Sequence, residues 1–155
     1  MKEIERKFLL KEGYQIEKLS YTNSHEIEDL YISDKVRIRN KDKEHIWILT
    51  FKSEGNIERD EFEMPILVKP RFDNIPILEK VRLDVLYMEQ KFEINIFKHI
   101  HFRGKPLVLI EIELNNKNQE LNLPEWVGEE VTYDKRFYGY QLANFLKFEE
   151  FCVVK

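Results

Sequence analysis

Apolar and polar residues alternate along most of this chain, with the two-residue period that is typical of β-strands. The alternation predicts seven strands, over residues 3–10, 35–39, 45–52, 59–66, 80–87, 91–101 and 106–114. A turn over residues 101–105 is expected to join the last two strands. Helical signals are fewer: one or two turns within residues 12–19, and an amphipathic helix over 138–148 with Leu142, Phe145 and Leu146 on one side.

The composition agrees with a single domain that is mainly β. The chain has 155 residues, the usual size of one domain, and its 13% aromatic content favours strands. No internal repeat, low-complexity tract or Gly/Ser linker divides residues 1–155. Many strands and few helices in one domain predict a β-barrel.

The charge balance, the single cysteine and the lack of long apolar runs argue against several classes of protein. Charged residues make up 35% of the chain, but the net charge is only −4, so a bulk nucleic-acid binder is not expected. The single cysteine, Cys152, permits no internal disulfide. The first residues are too charged for a secretory signal, and no apolar run is long enough for a membrane helix. We therefore expect a cytoplasmic protein without a membrane partner.

The polar faces of the predicted strands carry charges of one sign in pairs, because alternate side chains share a face. The carboxylate pairs are Glu3 with Glu5, Glu61 with Glu63, and Glu111 with Glu113; the basic pairs are Arg37 with Arg39 and Lys80 with Arg82. Carboxylates are ligands for Mg²⁺ or Mn²⁺, and Lys and Arg are donors to phosphate. A metal-loaded triphosphate uses both kinds. Alternation alone, however, does not distinguish a barrel lumen from a solvated face with cross-strand ion pairs.

An ordered set of motifs identifies the family. The segment EIERKFL that begins at Glu3 resembles the E-x-E-x-K signature of the CYTH superfamily, the triphosphate tunnel metalloenzymes. The similarity continues in order through VRIR at Val36, LTFK at Leu49, RDEFE at Arg59, KVR at Lys80, FEINIF at Phe92, LIEIEL at Leu109 and WVGEEVT at Trp126. One such motif is weak, but the ordered set covers nearly the whole chain.

The resemblance implies a fold, an activity and a set of site residues. The expected fold is an eight-stranded antiparallel β-barrel tunnel with a few short peripheral helices, and the expected activity is metal-dependent triphosphate hydrolysis, as in bacterial tripolyphosphatases. The resemblance implies ligation of Mg²⁺ or Mn²⁺ by Glu3, Glu5, Glu61, Glu63, Glu111 and Glu113. It implies triphosphate binding by Lys7, Arg37, Arg39, Lys52, Lys80 and Arg82. The residues expected to be catalytic are Glu3, Glu5, Lys7 and Arg59, the last in support of the carboxylates. Lys135 or Arg136 is expected to complete the phosphate site.

Two positions depart from the family pattern. Asn95 stands where relatives usually carry an aspartate, so this position is expected to be a weak metal ligand. Between Glu63 and Lys80 many relatives have a helix, but Pro65, Pro70 and Pro76 interrupt that segment here. Because proline breaks helix interiors, we expect this lid helix to be short or absent.

Two other functions remain open at this level. The first is an adenylate cyclase on the same scaffold, although no distinct base pocket is visible in the sequence. The second is a non-catalytic module that binds polyphosphate or a nucleoside triphosphate, for which Asn95 is the best support. The expected partner is in each case a small-molecule triphosphate, and a homodimer is left open.

Overall fold

A computed structural model shows a mainly β protein, and it describes residues 2–67, 69–144 and 150–154. Ten strands are present in the described residues: β1 (Lys2–Leu10), β2 (Asn23–Tyr31), β3 (Val36–Lys41), β4 (Trp47–Lys52), β5 (Glu58–Ile66), β6 (Ile77–Tyr87), β7 (Gln90–Phe102), β8 (Lys105–Glu113), β9 (Val127–Glu130) and β10 (Phe151–Val153). One helix, α1 (Gly139–Ala143), and two 3₁₀ turns (Ile16–Lys18 and Lys135–Phe137) complete the described elements.

Eight of the strands close into an antiparallel barrel. The order around the ring is β1-β5-β4-β3-β2-β6-β7-β8, and β8 pairs with β1 to close it. The expected eight-stranded tunnel is therefore confirmed. The short strands β9 and β10 extend the sheet by pairing with β1 and β7.

The barrel is stabilised by apolar side chains on both sides of its wall. Outside, a cluster centred on Phe92, Ile110 and Trp126 buries the outer face of β1, β6, β7 and β8. Inside, one end of the barrel is filled by apolar residues from four strands and the C-terminal segment. These are Tyr31, Leu78, Phe97, Leu109, Phe137 and Leu142. At Gly139 a Cβ would overlap the Tyr31 hydroxyl, so only glycine fits where α1 packs against this end.

Several sequence predictions need correction. No strand was predicted over β2, yet β2 pairs with both β3 and β6 in the ring. The predicted turn over 101–105 is shorter: β7 continues through Phe102, and Arg103 and Gly104 form the turn with positive φ angles of 51° and 76°. The one or two helical turns expected within residues 12–19 are present as one 3₁₀ turn, Ile16–Lys18, and need no correction.

Two helix predictions can be followed only in part. The helix expected over 138–148 is seen as α1, and residues 145–149 lie outside the described part of the chain. Among residues 64–67 and 69–76 the structure shows no helix, in agreement with the expected effect of the prolines. The described residues also contain no helix with the length and apolarity needed to cross a membrane.

Candidate active site

One cavity of about 510 Å³ lies inside the barrel next to the apolar end. The thirteen charged residues expected to be catalytic or to bind metal or triphosphate, Lys135 and Arg136 apart, all line it: Glu3, Glu5, Lys7, Arg37, Arg39, Lys52, Arg59, Glu61, Glu63, Lys80, Arg82, Glu111 and Glu113. The alternation fixes which residues share a face, and ring closure turns that face inward. These charged pairs are therefore not a solvated outer surface.

The acidic and basic pairs lie on opposite sides of the cavity. The carboxylate pairs come from the adjacent strands β5, β1 and β8, and we call this side the acidic wall (Glu3, Glu5, Glu61, Glu63, Glu111 and Glu113). The basic pairs come from β3 and β6, which flank β2, and we call this side the basic wall (Arg37, Arg39, Lys80 and Arg82). In the ring, β1 and β2 are four places apart in either direction, so the two walls face each other.

Two basic side chains hold the Glu3 carboxylate of the acidic wall. Lys52 Nζ and Arg59 Nε each donate to Glu3 Oε2 at 3.0 Å. Burial alone would raise the pKa of Glu3, but Lys52 and Arg59 lower it to about 2. Lys52 also lies 3.3 Å from Glu61, whose pKa burial and the neighbouring Glu3 and Glu63 raise to about 7 despite that lysine. The wall therefore contains both a fully ionised carboxylate and one that ionises only near neutral pH.

Glu5 and Glu111 form a close pair of carboxyl groups in the middle of the acidic wall. Burial and the negative charge of Glu111 raise the pKa of Glu5 well above its ordinary range. Burial also opposes ionisation of Glu111, but Lys7 and Lys80 lower its pKa well below the ordinary value. The pKa values of the two groups are thus shifted in opposite directions, because adjacent buried carboxylates repel each other and the nearby lysines favour the ionised form of Glu111.

The basic wall is organised around a residue that sequence reasoning missed, Asp29 on β2. Its side chain is fully buried, and it accepts hydrogen bonds from Arg39 Nε at 2.7 Å and Arg39 Nη2 at 2.9 Å. Arg37 Nε and Lys80 Nζ each lie 3.9 Å from its carboxylate. Burial would raise the pKa of Asp29, but Arg39 and Arg37 hold it well below the usual range. Asp29 was missed because β2 itself was not predicted.

The C-terminal segment completes the cavity at its apolar end. Lys7 Nζ donates to the Phe137 carbonyl at 3.3 Å and lies 5.6 Å from the centre of the Tyr138 ring. Lys135 lines the cavity, whereas Arg136 forms ion pairs with Asp134 at 2.7 Å and with Glu150 at 2.8 Å. Of the two basic residues that the sequence left open here, Lys135 is therefore the one placed at the site.

Comparisons with known proteins agree with this geometry. The sequence matches the CYTH domain family over residues 1–141. The chain belongs to the CYTH family. A curated CYTH relative from Nitrosomonas europaea, named inorganic triphosphatase, is 32% identical over 121 residues, which cover 72% of this chain and 77% of the relative. An inorganic triphosphatase from Acetivibrio thermocellus is 30% identical over 153 residues, which cover 92% of this chain and 94% of the relative. The crystal structure of the inorganic triphosphatase NE1496 superimposes with a TM-score of 0.57 at 27% identity, and the match covers 93% of this chain and 95% of that one.

The donor set of this CYTH cavity fits a divalent metal ion by its chemistry. Among the described residues, no three His, Cys, Asp or Glu side chains are already gathered closely enough to form a metal site. The acidic wall nevertheless holds carboxylates in excess of their local cations, since burial and neighbouring carboxylates raise the pKa values of Glu5, Glu61 and Glu113. A divalent cation compensates such a cluster, and oxygen is the ligand that Mg²⁺ and Mn²⁺ prefer.

Asn95, where the CYTH pattern implies an aspartate, connects the two walls. Its side chain is fully buried behind the cavity surface. Asn95 Oδ1 accepts from Arg82 Nε at 2.9 Å, and Asn95 Nδ2 donates to Glu111 Oε1 at 2.6 Å. An amide suits this place because it accepts on one side and donates on the other. The expectation that Asn95 is a weak metal ligand stays a prediction.

We expect Asn95→Asp to strengthen metal binding and to make the stability of the fold depend more on the bound metal. The new carboxylate keeps the contact with Arg82 but replaces the donor to Glu111 by a second negative charge, which is destabilising in a buried place. A divalent ion relieves that repulsion, so added Mn²⁺ should raise the unfolding temperature of the variant more than that of the wild type and lower the metal concentration for half-maximal activity. Thermal unfolding with and without Mn²⁺, and a metal titration of activity, measure both effects. Equal shifts and superimposable titrations would show that position 95 is not coupled to the metal site.

Proposed function

We propose that this CYTH chain hydrolyses a triphosphate inside its barrel with the help of a divalent metal ion. The observation that carries the proposal is the pairing of an acidic wall and a basic wall across one cavity. Only a ligand that is itself strongly anionic and metal-loaded satisfies both walls, and a triphosphate with its metal ion has this character. The names of the two curated relatives, both inorganic triphosphatases, support inorganic tripolyphosphate as the substrate.

In this proposal the basic wall binds and orients the phosphates. Arg39, Arg37, Lys80 and Arg82 neutralise the phosphate oxygens, and arginine grips two oxygens at once. Arg37 Nε supports this role, because it is buried and has no hydrogen-bond partner within residues 2–67, 69–144 and 150–154. Lys7 binds the end of the substrate next to Phe137 and Tyr138, and Lys52 lies between the two walls.

The acidic wall is proposed to hold the metal. Glu3, Glu5, Glu61, Glu63, Glu111 and Glu113 supply the oxygen ligands. A bound Mg²⁺ or Mn²⁺ supplies charge neutralisation on the phosphates and a more acidic water. Arg59 and Lys52 fix the carboxylate of Glu3 by their hydrogen bonds, so that it is positioned before substrate arrives. Most of the rate enhancement then comes from positioning and preorganised charge.

A phosphate-release assay tests the proposal. Purified protein is incubated with tripolyphosphate, ATP or thiamine triphosphate in Mg²⁺ or Mn²⁺, and we expect the highest kcat/KM for tripolyphosphate. Glu130→Gln is a control. Glu130 Oε1 lies 2.6 Å from Arg6 Nη2, outside the cavity, so this substitution should not affect turnover. Cyclic AMP formation from ATP would indicate a cyclase, and binding without phosphate release would indicate a binding module. The cytoplasmic location and the choice between Mg²⁺ and Mn²⁺ stay predictions from the sequence.

A further inference from the structure

Asp29 is a buried anion placed directly behind the cationic side of the cavity. It comes from β2, the strand between β3 and β6, and so it reaches basic residues on both neighbours. In the strand register Asp29 pairs with Arg39 on β3 and with Leu78 on β6. Arg37 and Lys80 lie two residues away along these strands, opposite Tyr31 and Ile27. Among the residues that line the cavity, neither β3 nor β6 contributes a carboxylate that could take the place of Asp29 between these cations.

The contacts of Asp29 fix the geometry of Arg39 in particular. Both carboxylate oxygens accept from the Arg39 guanidinium, at 2.7 and 2.9 Å. A bidentate pair of this kind holds the planar guanidinium in one orientation. Arginine has five N–H donors, so donors remain on Arg39 for a ligand after the two bonds to Asp29 are made.

The same carboxylate keeps several cations together before any substrate is bound. Arg37, Arg39 and Lys80 are all largely buried, with side-chain exposures of 15%, 15% and 7%. Without a counter-charge, like charges at this spacing repel each other, and the long side chains gain entropy by moving apart. Asp29 opposes both tendencies.

We propose that Asp29 is a positioning residue for triphosphate binding, which sets the orientation of Arg39 and holds Arg37 and Lys80 beside it in the empty cavity. The inference rests on the proposed function and adds to it a residue that does not itself line the cavity. Asp29 acts through Arg39 rather than by touching the substrate.

A purely structural role for this buried ion pair makes a different prediction. Loss of a structural ion pair lowers the fraction of folded protein, and so it lowers the apparent kcat per total protein. It leaves KM unchanged, because KM does not depend on the amount of active enzyme. Removing a negative charge near an anionic substrate would by itself lower KM. A raised KM therefore reports the loss of positioning. Neither a smaller fraction of folded protein nor the loss of the negative charge would raise it.

The experiment compares Asp29→Glu and Asp29→Asn with the wild type and with Glu130→Gln. Asp29→Glu keeps the negative charge but lengthens the side chain by one methylene, so it displaces the guanidinium without changing the charge of the wall. The control breaks an arginine–carboxylate pair of the same geometry, since Arg6 Nε and Nη2 donate to Glu130 at 2.8 and 2.6 Å on the outer side of the barrel. The measurements are steady-state kinetics with tripolyphosphate and calorimetric binding of sodium tripolyphosphate without metal.

We expect KM to rise about fivefold or more in Asp29→Glu and about tenfold or more in Asp29→Asn, with a smaller change in kcat, because misplacing one binding group by about 1 Å is costly. The calorimetric Kd should rise in parallel, and Glu130→Gln should stay within about twofold of the wild type in both constants. If Asp29→Asn does not fold, Asp29→Glu alone decides.

Two failures are distinguishable. Wild-type protein that binds and hydrolyses tripolyphosphate, together with Asp29 variants of unchanged or lower KM and Kd, overturns this inference and leaves the proposed function intact. Wild-type protein that neither binds nor hydrolyses tripolyphosphate overturns both. If the wild type binds without hydrolysis, the calorimetric Kd decides in place of KM.

Discussion

Glu5→Gln is expected to lower tripolyphosphate hydrolysis by about 100-fold or more, because it removes a carboxylate from the centre of the acidic wall. The same change should stabilise the metal-free protein at pH 8. Burial and the charge of Glu111 raise the pKa of Glu5 in the folded state above its ordinary value of 4.5, so the folded protein loses stability as the pH rises from 4.5 towards that raised pKa. Glutamine does not ionise and avoids this cost. Phosphate release and thermal unfolding at pH 4 and pH 8 measure the two effects.

Glu3→Gln is the matched control, since activity should fall in the same way while stability changes in the opposite direction. The pKa of Glu3 is lowered from 4.5 to about 2 by its partners in the folded state, so its ionised form stabilises the fold above pH 4.5. A shift of this size corresponds to about 3 kcal/mol, which is lost as the pH falls towards 2. The variant should therefore be less stable than the wild type at pH 8 and nearly equal to it at pH 2. Wild-type turnover in either variant would remove that residue from the metal site.

Removal of divalent metal is expected to abolish hydrolysis while leaving the barrel folded. The strands are held by backbone hydrogen bonds and by the apolar clusters on both sides of the wall, none of which needs a metal. After treatment with EDTA and desalting, phosphate release should fall to the background rate, with an unchanged far-ultraviolet circular dichroism spectrum.

Restoring the metal provides the control for this experiment. Added Mg²⁺ or Mn²⁺ should return the activity and raise the unfolding temperature, because a ligand that binds only the folded state stabilises it. Ca²⁺ is a useful comparison, since its larger size and looser geometry suit a different arrangement of oxygen ligands. Full activity in protein shown by elemental analysis to be free of metal would contradict the metal-dependent mechanism.

The sequence by itself determined which side chains share a face. Period-two alternation separates Lys80 and Arg82 from Val81 and Leu83, and it does the same for the charged pairs of the other predicted strands. These assignments depend on neighbouring residues only, because the pleat of a strand is a local property of the backbone. The ordered motifs then indicated the family, and the alternation correctly grouped the cavity residues before the ring order was known.

The sequence did not reveal β2, for a physical reason. The segment from Asn23 to Tyr31 begins with four polar residues and ends with two apolar residues in succession, so it shows no alternation. Tyr31 faces the apolar end of the lumen, and Leu30 packs on the outside of the barrel. An aspartate in such a segment reads as a turn or surface residue, since carboxylates are rarely buried. Only the cations that β3 and β6 bring to Asp29 make its burial favourable.

Tertiary structure alone decided the arrangement of the charges. Ring closure placed β5, β1 and β8 side by side and set them opposite β3, β2 and β6, so that separate charged pairs became two walls. It also placed Asn95, which lies on β7 between the two walls, in hydrogen-bonding contact with both Arg82 and Glu111. These facts depend on which strands pair across long sequence separations. Local alternation sets the face of each strand, but it carries no information on which strand becomes its neighbour.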